Sequence, residues 1–272
     1  MQLKVEKYEV NNPLLKKLIK YFWAINCENA IFNHKILPQK NIDLIFNLSS
    51  DVKYINKDNS ERKLQEIYFN GITDNFKYRW ANQNGRLDMI GISFYPTGLY
   101  PFLGIPISEF RNSVIDLNSL YSKFSDELID KVKDSESNFD KIAIIEDYLI
   151  RIIDLKHFLT PRERQMFNNF DKSINQLSIE QFSEKYGIHK RQLERQFNKH
   201  IGINPKSYLR ISRFQNTMKQ ILSSKFDLLT DLAFDNGYYD QTHFIKEFKT
   251  FTGSLPSQFI NHNSSVKEIV RY

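Results

Sequence analysis

Apolar positions in the first hundred residues come in short, dense runs rather than at helical spacing. Residues 42–48 (Ile-Asp-Leu-Ile-Phe-Asn-Leu) and 89–95 (Met-Ile-Gly-Ile-Ser-Phe-Tyr) are each seven residues long and partly β-branched, which predicts buried strands. One early stretch reads differently. Leu14, Leu15, Leu18, Ile19 and Phe22 recur at three and four after Pro13, predicting a short amphipathic helix or helical turn. From residue 106 the texture turns helical. Leu117, Leu120, Tyr121, Phe124, Leu128 and Ile129 form one stripe, and Ile142, Ile145, Leu149, Ile152, Ile153 and Leu155 form another beyond a charged loop at 131–138. Thr160-Pro161-Arg162-Glu163 has the form of a helix start, with Thr160 as cap and Glu163 at the third position. These patterns predict an α+β chain. It has a β-rich segment at 1–105, a helical linker at 106–160, an all-α domain at 161–262 and a tail at 263–272.

The all-α domain holds an internal repeat. Leu193, Phe197, Gly202, Pro205 and Tyr208 recur 51 residues later as Phe244, Phe248, Gly253, Pro256 and Phe259. Upstream the displacement is 50, with Phe182 matching Leu232 and Gly187 matching Gly237. Keeping apolar, glycine and proline positions in register implies two copies of one supersecondary unit. Each copy reads as a short helix, a glycine turn and a second helix. In the first, Ser178 caps the opening helix, Gly187 turns the chain, and Leu193 and Phe197 face inward. In the second, Asp227 is the expected cap, and Ala233, Gly237, Phe244 and Phe248 fill the same roles. The helical period leaves Lys190, Arg191, Glu194 and Arg195 outward in one copy and Gln241, Thr242, Ile245 and Lys246 outward in the other. An outward Ile245 suits a thymine methyl, or is a stray surface aliphatic. Residues 205–223 read as one long connecting helix, decorated by Arg210, Arg213 and Lys219.

Charge adds direction to this picture. The net charge of +6 divides as zero over residues 1–160, +5 over 161–262 and +1 in the tail, so the excess lies where a polyanion would be met. The start of the chain lacks a signal-peptide pattern, and no run approaches eighteen apolar residues, so a soluble cytoplasmic protein without membrane association is expected. One cysteine, Cys27, excludes an internal disulfide. The six histidines have no metal-ligand spacing, and neither a phosphate loop nor a dinucleotide glycine fingerprint is present; no metal, no cofactor and no catalytic residue is therefore expected.

Residues 178–259 resemble the paired helix-turn-helix domain of the arabinose-operon-regulator (AraC/XylS) family of bacterial transcription factors. The carriers are Phe182 through Pro205 and then Gly237-Tyr238-Tyr239-Asp240-Gln241-Thr242-His243-Phe244, Phe248-Lys249, Gly253 and Pro256. The resemblance implies a sequence-specific regulator, not an enzyme, whose two recognition helices enter adjacent major grooves of double-stranded DNA. Positions 190, 191, 194 and 195 would approach the DNA from the first helix, and 241, 242, 245 and 246 from the second. The front is similar, less closely, to an uncharacterised N-terminal domain found on some members. His34-Lys35-Ile36-Leu37-Pro38, Asp43-Leu44-Ile45-Phe46 and Gly91 through Gly98 carry that similarity.

Such front domains imply a small-molecule effector or subunit pairing. Trp23, His34, Trp80, Phe94 and Tyr95 are the candidates for an effector pocket, although composition favours a plain aromatic core over a ligand site. The two amphipathic stripes of 106–157 need a cover, which is either each other and the front domain or a second subunit in a homodimer. RNA polymerase would be a further partner of an activator. Rival readings are an enzyme or small-molecule binding protein with a helical scaffold, and an architectural DNA binder without sequence preference.

Overall fold

The computed structural model describes residues 4–261, apart from 29–31, 50–51, 57, 75–77, 83–84, 175 and 224–225; of residues 32–35, 78–82, 118–125 and 261 it describes the backbone alone. The tail 263–272 lies outside the described residues. The front half contains strands β1 (Val5–Tyr8), β2 (Ile19–Cys27), β3 (Phe32–Lys35), β4 (Asp43–Asn47), β5 (Lys53–Asn56), β6 (Glu61–Lys63), β7 (Ile67–Asn70), β8 (Tyr78–Asn82), β9 (Leu87–Phe94) and β10 (Val114–Asp116). They form a six-stranded sheet in the order β1-β2-β9-β4-β7-β10 and a four-stranded sheet in the order β3-β8-β5-β6. Every pairing between them is antiparallel.

The larger sheet is covered on both faces. One face packs Trp23, Ile45, Tyr68 and Met89 against Val52 and Leu64, which flank β5 and β6 of the smaller sheet. The opposite face sends Phe22, Phe46, Ile90, Ile92 and Phe94 toward the helices. Covering both faces explains why β4 and β9 read as near-continuous apolar runs. It also explains the one early element that differs from its sequence pattern. The spacing at 14–22 yields only a 3-10 turn at Leu15–Lys17, and Ile19 onward is strand, because β2 pairs with β1 on one edge and β9 on the other. Aromatic and β-branched residues favour that pleated, two-sided site over a helix.

The segment beyond residue 105 is not wholly helical. After α1 (Tyr100–Leu103) and a 3-10 turn at Ile107–Phe110, β10 pairs with β7 and completes the large sheet. The helical pair begins only at α2 (Asn118–Asp134), which runs through the first half of the expected charged loop, and continues as α3 (Asn138–Ile152), capped by Ser137. Leu128, Ile129, Val132, Ile142, Ile145 and Leu149 are all buried in the core shared with the sheet, so the chain itself covers this part of the stripes; Leu155 is exposed, and the side chains of Leu120, Tyr121 and Phe124 lie outside the described residues. A buried Lys141–Asp88 ion pair (3.6 Å) and the Asn11 N–H donating to Glu146 (2.8 Å) fix α3 to the sheet.

The rear is all helix: α4 (Pro161–Lys172), α5 (Ile179–Tyr186), α6 (Lys190–His200), α7 (Pro205–Leu222), α8 (Leu229–Asp235), α9 (Gln241–Thr252) and α10 (Pro256–Asn261). Thr160 and Glu163 close the expected capping box at the start of α4. The chain is thus a β-rich antiparallel domain followed by a helical one.

Candidate nucleic-acid interface

The repeat is geometric as well as textual. α5 and α8 begin 50 residues apart; α6 and α9, like α7 and α10, begin 51 apart. In the first unit the Gln181 N–H donates to Ser178 Oγ (3.1 Å), while Gln181 Oε1 accepts from the Ser178 N–H (2.8 Å). That reciprocal cap satisfies two donors otherwise orphaned at a helix start. Gly187 ends α5 at φ 60°, a left-handed conformation; no atom lies near its missing Cβ, so backbone geometry alone selects glycine. In the second unit Leu228, not Asp227, is the N-cap of α8, and it supplies no side-chain bond. There the capping work falls on α9, where Asp240 accepts from the His243 N–H (2.6 Å).

Inward faces match the sequence pattern. Leu193, Phe197, Phe244 and Phe248 are fully buried, as is Ala233. Phe170 contacts Phe182 and Phe197 at 4.9 and 4.7 Å between ring centres, and Phe197 meets Tyr208 at 5.5 Å. In the second unit Phe248 meets Phe214, Phe244 and Phe259 at 5.3–5.7 Å. Gly202, Pro205, Gly253 and Pro256 sit at the junctions where α6 and α9 give way to the following helices.

Outward faces divide. Lys190, Arg191, Arg195, Gln241, Thr242 and Lys246 are exposed. Lys190 is held by Glu180 of α5 at 3.2 Å, an exposed pair that leaves both groups accessible. Glu194 is half-buried. Ile245 is also half-buried and packs against the core, which accounts for that aliphatic without a thymine partner.

Three features had no local sequence signal. Arg210 and Arg213 do not decorate the surface of α7; they converge on the buried Glu247 of α9, at 2.9 and 3.8 Å, together with His243 at 3.6 Å. Arg213 also donates to the Gly237 carbonyl (3.0 Å), tying α7 to the turn of the second unit. Burial and then the Glu247 carboxylate push the neighbouring Tyr238 phenol well above its ordinary value. The end of α6 forms a joint with the front domain. A Cβ at Gly202 would lie 2.9 Å from Ile107, and His200 packs on Tyr100 at 4.7 Å.

Of the expected effector set, the three described side chains, Trp23, Phe94 and Tyr95, do not face one pocket. Trp23 lies between the two sheets, whereas Phe94 lies on the opposite face of the large sheet against Phe102 (5.4 Å). Their sequence parity places them on opposite faces of the pleat. His34 and Trp80 are register partners on β3 and β8, and their side chains are outside the described residues. Tyr95 is exposed and lines a cavity of about 560 Å³ between the domains. Among the described residues no cluster of three metal-ligating side chains occurs, and no helix is long and apolar enough to cross a membrane.

Two helix-turn-helix units joined by one continuous helix stand behind a β-rich domain, and units of this shape are a common DNA-binding motif. Residues 182–262 match the helix-turn-helix domain family, and residues 11–116 match a domain of unknown function, DUF6597. The rear of the chain thus carries an AraC-type helix-turn-helix domain. It is 27% identical over 92 residues to an uncharacterised helix-turn-helix-type transcriptional regulator of Staphylococcus aureus (strain MSSA476); the match covers 34% of this chain and 12% of that protein. Among solved structures, ToxT from Vibrio cholerae is similar over 96% of this chain and 98% of its own, with 10% identity and a TM-score of 0.47. The C-terminal domain of AraT, a response regulator from Geobacillus stearothermophilus, is similar over 38% of this chain and 86% of its own, with 24% identity and a TM-score of 0.35.

Proposed function

We propose that a single chain reads its operator by placing α6 and α9 in successive major grooves, under control of a small-molecule effector bound by the front half. The observation that carries this reading is the pair of equivalent units whose outer faces stay exposed and polar while one rigid helix, α7, holds them together. Arg191 and Arg195 are the side chains best suited to bidentate contact with guanine edges; Lys190 and Lys246 suit phosphates, and Gln241 and Thr242 suit hydrogen bonding to bases. Ile245 and Glu194 act behind them, shaping the helix faces rather than supplying contact energy. DNA is the partner this assigns. Polymerase contact belongs to the proposal only for an activating operator position. Leu128, Ile129, Val132, Ile142, Ile145 and Leu149 are covered within the chain and argue against a homodimer through α2 and α3, whereas the exposed Phe139 and Ile150 of α3 leave some apolar surface for one.

The test is specificity, not bare affinity. In titrations of a selected operator and of scrambled duplex, Arg191→Ala and Arg195→Ala are each expected to cost ~1–3 kcal/mol of discrimination. Lys246→Ala is expected to weaken both duplexes alike and to lower the salt slope by about one. Both arginine variants retaining the full specificity ratio would show that α6 does not read bases.

A further inference from the structure

The two helix-turn-helix units stay in step except at one point. The Ile188 and Tyr238 N–H groups, 50 positions apart, each donate over 3.0 Å to a carbonyl of the preceding helix, Ser183 and Ala233. The Leu193 and Phe244 N–H groups, 51 apart, donate alike to the N-cap carbonyls of His189 and Asp240. The residue gained between these two landmarks is Tyr239. It has no counterpart in the first unit. At 86% it is also the most exposed large apolar or aromatic side chain among the described residues.

Its neighbours fix that outward setting. Tyr238 fills the inner site: it is buried, its ring packs on Phe244 (5.2 Å) and the Arg213 guanidinium covers it (5.2 Å). The chain then runs extended through Asp240 (φ −153°, ψ 172°) into α9, and successive side chains of an extended segment point to opposite sides. The Tyr239 N–H donates to His243 Nδ1 (3.4 Å), and His243 stands 3.6 Å from Glu247, the acid that joins α9 to α7. Among the described residues its hydroxyl has no hydrogen-bond partner and its ring no aromatic neighbour. A braced backbone therefore holds a bare aromatic ring beside Gln241 and Thr242, the first residues of α9.

In a helix-turn-helix the first residues of the recognition helix are the ones that meet base edges, so this ring borders the same groove. The exposed outward groups of α9 are polar or charged, Gln241, Thr242 and Lys246, and Ile245 is turned toward the core. An apolar ring answers the one apolar feature of the major-groove floor, the C5-methyl of thymine. We propose that Tyr239 reads a thymine in the second half-site through that methyl, giving the second unit an apolar contact that the first lacks. This rests on the reading role of α9 proposed above. Burying one methyl from water is worth about fourfold in affinity.

The test uses the full chain and an operator selected from random duplexes, titrated by fluorescence anisotropy. The second half-site is the one whose base preference Gln241→Ala relaxes. Each of its thymines is replaced singly by deoxyuridine, which removes the methyl and keeps every hydrogen-bonding group. At one position the native chain is expected to lose about fourfold. Tyr239→Ala should bind the parent operator about fourfold more weakly, lose nothing further at that position, and melt at the native temperature. Tyr239→Phe and Thr242→Ser should both keep the methyl effect. Four results would overturn the assignment: a second half-site without thymine, a native chain indifferent to every deoxyuridine, a Tyr239→Ala chain as methyl-sensitive as the native one, or an effect that disappears with Thr242→Ser instead. Tyr239→Phe binding as weakly as Tyr239→Ala would move the contact to the hydroxyl and also overturn it. A selection that enriches no sequence would refute the reading role itself. An operator whose discrimination still depends on Arg191 and Arg195, without coupling between Tyr239 and a thymine, would sink this assignment alone.

Discussion

His200 closes the end of α6 under unusual conditions for a histidine. Its side chain is almost wholly buried, its ring packs on Tyr100 of the front domain and Phe167 of α4, and among the described residues neither ring nitrogen has a hydrogen-bond partner. Burial, and then the nearby Lys199, lower its pKa from 6.5 to about 4, against the opposing pull of Glu163 at 3.9 Å. The folded pKa lies below the unfolded one, so the unfolded chain takes up the proton first. Stability from this site is therefore full above about pH 6.5 and declines as pH falls toward 4, by ~3 kcal/mol at most. Glu163 and Asp171 also sit below the carboxylate range: burial raises each, but the Thr160 hydrogen bonds and His200 outweigh it at Glu163, and Lys40 and Tyr208 do so at Asp171. Acid destabilisation is thus not due to His200 alone, and the comparison that isolates it is His200→Phe. That variant should unfold with a visibly shallower pH dependence between 6.5 and 4.5 in urea titrations, because an apolar ring gives up no hydrogen bond there. An identical slope in both proteins would remove His200 from the account.

At the scale of elements, the two helix-turn-helix units are built alike but pinned differently. Glu247, buried on α9, gathers Arg210, Arg213 and His243; the position 51 residues earlier is Gln196, and His243 likewise corresponds to Gln192. Among the described residues, only the second unit is locked to α7 by charge. Glu247→Ala strands two partly buried guanidinium groups and is expected to cost ~2–4 kcal/mol in denaturant unfolding, whereas Gln196→Ala should cost less than about 1. Equal costs would mean that packing around Phe248, not the ion cluster, places α9. The same contrast shows what the sequence could disclose. Helical spacing and the repeated Gly, Phe and Pro positions located α5, α6, α7 and α9, since both copies bury the same stripe. Arg210 and Arg213 looked like surface cations because their acid lies 34–37 residues away. β10 escaped notice because three residues carry no period and its partner β7 lies over 40 residues upstream. The spacing at 14–22 suggested helix because periodicity cannot register that both faces of β2 are covered. The interdomain cleft draws on positions from Lys17 to Lys219, so no local pattern could announce it.

For the whole molecule, the decisive property is that front and rear share one continuous buried core, and that α7 carries both reading units as a single body. α7 has 18 residues and is therefore about 27 Å long, comparable to the ~34 Å pitch separating successive major-groove entries on one DNA face. The Glu247 cluster fixes α9 to this rod, and the Phe197–Tyr208 contact fixes α6 to its start. A rod so braced cannot follow a half-site that moves around the duplex. Once an operator is selected from random duplexes, inserting about 5 bp between its two half-sites places the second on the opposite face of the DNA. Affinity is then expected to fall to that of one isolated half-site, a loss of about 100-fold or more, because the second binding event no longer benefits from tethering. Inserting a full turn of about 10 bp should not restore it, since the connector cannot lengthen by another pitch. Two chains held together by a flexible joint would behave otherwise, recovering at the full turn. Gel-shift titrations across the insertion series, with stoichiometry read at saturation, separate the outcomes: recovery at about 10 bp, or two chains on the intact operator, would show that α7 is not the ruler.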